Sequence, residues 1–168
     1  MNNLGEHYGN LGVVEEEKEQ KYVFNQLKAL FQDSAVKFQG MHDYYSKIYF
    51  KEDLTDKQLN NIRKKVEPDF TFYEEEVLGF VDDSLIGNAK SGMLFTKEGI
   101  CVYGLLQRDC IYFEIINKTV YNDNDENDIK LKIYTDDEQI TISSRYYSKR
   151  ELNKYIERAI EILGVNNQ

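Results

Sequence analysis

Apolar residues recur along this chain with two different periods, and the change from one to the other falls near residue 68. Between residues 15 and 33 they follow helical spacing. Val23, Leu27 and Leu30 stand four and three apart, and Phe24 and Phe31 widen the stripe. Glu15, Glu16, Glu17 and Glu19 crowd the first turns of this predicted helix, where the helix dipole favours negative charge. Residues 55–66 repeat the pattern with Leu59, Ile62 and Val66. Thr55 and Gln58 have the spacing of a capping box, in which the hydroxyl accepts from the Gln58 amide and the Gln58 side chain reaches back. Arg63, Lys64 and Lys65 suit the last turn, and Pro68 disfavours helical geometry at Glu67. Residues 148–163 form the strongest helical pattern, with Leu152, Tyr155, Ile156, Ala159, Ile160 and Leu163 on one face. Ser148 and Glu151 have capping-box spacing at its start, and Gly164 stands where a left-handed cap would end it.

Between the second and third helices the period drops to two. Short runs rich in Val, Ile, Phe, Tyr and Thr predict strands near 76–82, 92–96, 99–104, 109–114, 115–121, 128–134 and 138–144. Thr96-Lys97-Glu98-Gly99 reads as a hairpin turn in which Gly99 can take a positive φ. Ile129, Leu131 and Ile133 alternate with Lys130 and Lys132, and Ile140 and Ile142 alternate with Thr141 and Ser143. Such alternation packs one face on a core and leaves the other in water, as in antiparallel sheets. Residues 35–51 fit either period: Met41, Tyr45 and Ile48 suit a helix, while the run Tyr44 to Phe50 is aromatic enough for a strand. Residues 1–14, rich in Gly and Asn, read as a mobile tail. The chain therefore divides into a tail (1–14), a helical N-terminal part (15–68) and a sheet domain closed by a helix (69–168), an α+β organisation.

Charge narrows the function classes. Among 168 residues, 21 Lys and Arg face 30 Asp and Glu, for a net charge of −9. That sign argues against a nucleic-acid binder, which normally carries a basic face, and against docking on anionic lipid by bulk charge. The 13 Tyr and 9 Phe argue against global disorder. The N-terminus has neither the basic nor the apolar region of a signal peptide. The longest nearly uncharged apolar run, Gly99 to Leu106, is far short of the roughly 20 residues of a transmembrane helix. A cytoplasmic location is expected. Cys101 and Cys110 then read as buried small hydrophobes; they flank a possible hairpin, which leaves their proximity open.

Candidate chemistry is sparse. Asp123, Asp125 and Asp128 suggest a calcium loop, but the required Gly and Glu positions hold Asp128 and Tyr134. His7 and His42 lack cysteine partners at zinc spacing. Gly87-Asn88-Ala89-Lys90-Ser91-Gly92 lacks the Gly-Lys-Ser/Thr ending of a phosphate loop. Ser84, Ser91, Ser143 and Ser144 have no nucleophile elbow around them. Asp82 and Asp83 are adjacent, so on a strand they point to opposite faces and do not share an acid–base site. No catalytic residue, cofactor or metal ligand is assigned, and enzymatic activity is not expected.

The segment from Val77 to Ile100, with Asp82-Asp83-Ser84 followed by Leu85-Ile86, Gly87-Asn88-Ala89-Lys90-Ser91-Gly92 and Thr96 before Gly99-Ile100, resembles the opening strands of bacterial pleckstrin-homology-like (GRAM-like) domains of uncharacterised proteins. The pattern there has Thr, Ser and Asp where Ser84, Asn88 and Ser91 stand here. The resemblance covers about residues 50–121, and the helix upstream of it, Leu54 to Val66, is similar too. It implies a seven-strand antiparallel barrel or sandwich capped by a C-terminal helix, here preceded by two N-terminal helices. Asp82, Asp83, Ser84, Gly87, Lys90 and Gly92 are then candidate ligand-contacting or loop-organising residues. Asp82 or Asp83 can cap loop amides, and Lys90 can pair with one of them.

The expected function is a non-enzymatic binding or adaptor module with a protein partner. Only Lys90 and Lys97 are available for a phosphoinositide-type site, which disfavours lipid. The alternative is a small acidic inhibitor, such as an immunity or phage counter-defence protein, that blocks a basic enzyme. A third reading has the chain assemble with itself through Tyr44, Tyr45, Tyr49 and Phe50.

Overall fold

In the computed structural model, residues 5–38, 47–84, 86–105, 107–121, 130–142 and 148–165 are described. Helix α1 (Gly5–Ala35) leads into strand β1 (Lys47–Phe50), and helix α2 (Asp56–Val66) follows. Then come β2 (Val77–Asp82), β3 (Gly92–Thr96), β4 (Gly99–Tyr103), β5 (Arg108–Tyr112), β6 (Lys118–Tyr121), β7 (Leu131–Tyr134), β8 (Gln139–Ile142) and helix α3 (Lys149–Leu163). The chain is α+β, with two antiparallel meanders in the orders β1-β2-β3-β4-β5 and β6-β7-β8. Among the described residues the two sheets do not join into a closed barrel. Strands lie near each of the seven stretches with strand patterning, but β1, which pairs Ile48 with Val81 and Phe50 with Gly79, brings the described residues to eight strands in place of the expected seven. That pairing resolves residues 47–50 as strand; residues 39–46, with Tyr44, Tyr45 and His42, lie outside the described residues.

The five-stranded sheet is covered on both faces. Leu78, Val81, Met93, Phe95, Ile100, Val102 and Ile111 share a core with α1, α3 and the inward residues of the small sheet. Val77, Phe80, Leu94, Cys101 and Tyr103 point the other way, onto Ile62 and Val66 of α2 and onto Phe70 and Phe72. This accounts for the unbroken apolar runs in β2–β4, since a strand buried on both faces has no polar alternation. The small sheet alternates as the sequence indicates: Leu131 and Ile133 are buried, Lys132 is exposed, and Ile140 and Ile142 are buried.

An aromatic cluster joins the helices to the large sheet. The Phe38 ring stacks on Phe95 at 5.1 Å, and Tyr155 meets Phe95 edge-on at 5.1 Å. Phe31 of α1 lies 4.9 Å from Phe95 and seats directly over Gly79. A methyl group at residue 79 would overlap the Phe31 ring and stand 2.6 Å from the Tyr49 carbonyl oxygen, so only glycine admits this close crossing.

Several local expectations are corrected. The first helix begins at Gly5, within the segment read as a tail, and it buries Leu27, Phe31 and Ala35 at spacing four while Val23, Phe24 and Leu30 are partly covered. Gly99 does not take a positive φ. The turn is held instead by the Thr96 hydroxyl, which donates to the Gly99 carbonyl at 3.1 Å and accepts from the Glu98 and Gly99 amides. Glycine is required at 99 because a side chain there would collide with the Ile111 backbone of β5. Cys101 and Cys110, read as buried small hydrophobes with their proximity open, are direct partners in the β4–β5 ladder and are joined as a disulfide, their Cα atoms 4.0 Å apart.

Both predicted N-caps form. At α2, Thr55 Oγ1 accepts from the Gln58 amide at 3.2 Å and Gln58 Oε1 accepts from the Thr55 amide at 3.0 Å. At α3 the cap is one-sided: Ser148 accepts from the Glu151 amide at 3.3 Å, while the Glu151 carboxylate turns to Lys154 at 3.0 Å. Gly164 ends α3 in the left-handed conformation. Among the described residues, no helix is long and apolar enough to cross a membrane.

Candidate functional site

The β2–β3 connection is organised around one buried carboxylate. Asp82, the last residue of β2, is fully buried. Its Oδ1 accepts from the Ser84 amide at 2.8 Å and from the Ser84 hydroxyl, and its Oδ2 accepts from the Ala89 amide at 2.8 Å. Burial of a carboxylate is tolerable only with such donors, and here they fold the loop back on itself. Ser84 Oγ in turn accepts from the Asn88 amide at 3.0 Å, and Asn88 Oδ1 accepts from the Lys90 amide at 3.2 Å. Ala89, with φ 55°, is the one non-glycine described residue in the left-handed region, and Gly87 at φ 64° allows the sharp turn before it. Gly92 opens β3 with its backbone against the Val81 carbonyl.

The loop is also clamped from outside. Gln58 Nε2 of α2 donates to the Gly87 carbonyl at 3.1 Å, and Asn61 Nδ2 donates to the Asn88 carbonyl at 2.8 Å. The Tyr103 hydroxyl donates to the Ala89 carbonyl at 2.8 Å. Burial, followed by the nearby Asp82 and Asp83 carboxylates, pushes the Tyr103 phenol well above its ordinary range and keeps it a neutral donor. The sequence assigns Gln58 only a capping role, and Asn61 and Tyr103 none. A signal existed only for Gln58, through its capping-box spacing.

Of the sequence candidates, Asp82, Ser84, Gly87 and Gly92 meet in this loop as structural groups. Asp83 follows on the strand's end with its amide bonded to the Ser91 carbonyl at 3.3 Å. Lys90 does not pair with Asp82; among the described residues its side chain makes no ion pair and is exposed. Tyr49 and Phe50 are drawn into the fold, Tyr49 against the α2-side core and Phe50 edge-on to Phe31 at 6.0 Å. Asp123, Asp125, Asp128, Ser143 and Ser144 lie outside the described residues. Among the described residues, no three His, Cys, Asp or Glu side chains converge closely enough to hold a metal ion.

A second feature draws on residues no single stretch of sequence brings together. The exposed half of α1, the 3-10 turn Glu74–Glu76, the β3–β4 turn and the end of α3 enclose a groove of about 680 Å³. Its floor is apolar, formed by Val23, Phe24, Leu27 and Leu163. One bank carries Glu16, Glu17 and Glu19 of α1, and the other carries Glu75, Glu76 and Glu98. Lys21 and Lys97 are the two cations along it. Lys97 is committed to Glu76, Nζ to Oε1 at 3.0 Å, and its amide donates to the Glu76 carbonyl at 2.9 Å. The Glu76 carboxylate also accepts from the Tyr73 amide at 2.9 Å. These bonds lock the second bank to the hairpin. A smaller depression of about 260 Å³ shares Lys97, Glu98 and Leu163 and extends the groove toward Tyr112 and Glu114.

On the α1 side, Lys28 pairs with Glu52, and that bond holds the Glu52 carboxyl below the usual range. It ties α1 to the segment after β1. Comparison with protein-family models, curated proteins and solved structures finds no match to this chain.

Proposed function

We propose that this chain is a non-enzymatic binding module of pleckstrin-homology-like architecture that recognises a protein partner. Two antiparallel meanders, of five and three strands, followed by a closing helix support the architectural part. The groove carries the functional part. An open apolar floor flanked by charge is the kind of surface on which a protein segment docks, because apolar burial supplies affinity and the charged rim supplies orientation. The polar groups of the β2–β3 loop, by contrast, are largely consumed in holding that loop.

One observation favours a second reading, a small acidic inhibitor that blocks a basic enzyme. The groove sets six carboxylates against two ammonium groups, and the whole chain carries a charge of −9. Such a surface steers basic proteins onto itself. Affinity capture from the native cell tests both, using the wild type beside a Glu16→Lys, Glu19→Lys, Glu98→Lys variant. A protein retained by the wild type and lost by the variant is the expected result. If that protein is a basic enzyme whose activity falls on binding, the inhibitor reading holds. The same proteins on both baits would contradict docking at the groove.

A further inference from the structure

We propose that the occupant of the groove is a basic, partly apolar segment of the partner protein, which lays the stems of its Lys or Arg side chains on the floor and directs their head groups to the two banks. This rests on the binding-module reading above and specifies the chemistry of the partner. The balance of charge selects the sign. Glu16, Glu17 and Glu19 face the groove from α1, Glu75 and Glu98 face it from the opposite side, and Lys97 is held by Glu76. An acidic peptide, a phosphate or an anionic headgroup would meet net repulsion on both banks. A simple polycation would satisfy the banks but leave Val23, Phe24 and Leu163, which are only partly covered by the rest of the fold, in water. Long basic side chains answer both demands, since their methylene stems cover apolar surface while the charged end remains solvated at the rim. The banks are rigid on one side, through the Glu76–Lys97 and Glu76–Tyr73 bonds, so little ordering is needed on binding.

The rim charges are solvent-exposed, so their contribution is screened by salt, whereas the floor's is not. Three synthetic peptides of equal length serve as probes in a fluorescence-anisotropy titration: alternating Lys and Leu, alternating Glu and Leu, and alternating Lys and Ser. The Lys/Leu peptide is expected to bind, and the other two to bind at least about tenfold more weakly. Raising salt, or introducing Glu16→Lys, Glu19→Lys and Glu98→Lys together, is expected to weaken the Lys/Leu peptide by about tenfold or more. All three residues are solvent-exposed, two on α1 and one on the β3–β4 turn, and an unchanged unfolding midpoint shows that the variant is folded. Replacing the same three residues by Gln gives a second, milder variant with an intermediate loss. Equal binding of the Glu/Leu or the Lys/Ser peptide, no binding of the Lys/Leu peptide, or Lys/Leu binding indifferent to both variants overturns the proposal. Tight Glu/Leu binding that Phe24→Ala abolishes would remove the basic occupant yet keep a docking groove. A captured partner indifferent to the groove variants would remove the binding reading itself.

Discussion

Single residues decide the local order of the fold, and Asp82 is the clearest case. Its carboxylate accepts from two amides and one hydroxyl in a dry setting. Asp82→Ala leaves those donors without their acceptor, and hydrogen bonds to charged groups contribute about 1.5–3 kcal/mol each way they are lost. Urea denaturation is expected to show a loss of about 3 kcal/mol, with amide exchange in residues 83–91 accelerating first. Unchanged exchange there would mean the loop is held mainly by Gln58, Asn61 and Tyr103. Lys149 makes a second residue-scale prediction. It is buried at the start of α3, and desolvation pushes its ammonium down to about 8. The unfolded chain holds that proton up to a pKa near 10.4. Between those values the unfolded state binds more protons than the folded state, so unfolding free energy should rise as pH increases from about 8 to about 10. Below that window the folded state carries the full penalty of the buried ammonium. The raised phenols of Tyr103 and Tyr155 oppose stability only above their ordinary range near 10. A pH series of chemical denaturation checks this, and the rise should vanish in Lys149→Gln. The Asp-Asp-Ser turn and its glycines were legible in the sequence because turn chemistry is local. The role of Tyr103 was not, because its hydroxyl reaches Ala89 only after β3 and β4 have paired.

At the scale of elements, two crossings hold the helices and strands in place. Phe31 seats on Gly79, and the fit leaves no room for a methyl group. Gly79→Ala should destabilise by about 2 kcal/mol or more, the ordinary cost of overpacking a filled core. In a Phe31→Leu background the same substitution should lose less, and the remainder belongs to the clash with the Tyr49 carbonyl. A double-mutant cycle by denaturant titration reads that coupling. The Cys101–Cys110 bond ties β4 to the edge strand β5. Closing a loop of this length restricts the unfolded chain by about 2–3 kcal/mol, so reduction, or Cys101→Ser with Cys110→Ser, should lower stability by that order. Thiol counting under denaturing, non-reducing conditions should find no free thiol. Helix positions, caps and the seven strands could be read from periodicity and capping residues, because those signals lie within one element. The disulfide could not, since spacing suggests a hairpin but not its register. The extent of α1 was also hidden, because residues 12–22 are exposed and carry no apolar stripe.

At the scale of the whole molecule, α1 is pinned at Phe31 and at Lys28–Glu52, and its exposed glutamates at 16, 17 and 19 line the groove. Its residues lie near positions 16–27, 75–76, 97–98 and 163, so no local pattern announces it. In the sequence, the acidic run at 15–19 reads as a helix start that suits the dipole; α1 begins ten residues earlier, so that explanation lapses, and the fold instead brings the run opposite Glu75 and Glu98. The net charge of −9 is therefore less evenly spread than composition suggests: part of it is gathered along one cleft. The proposed binding role places the protein partner in that cleft. Hydrogen exchange of this chain with and without its captured partner tests it most directly. Protection concentrated in residues 16–27, 73–76, 97–98 and the end of α3 is the result expected; protection confined to the β2–β3 loop or to β1, with the cleft unchanged, would contradict it.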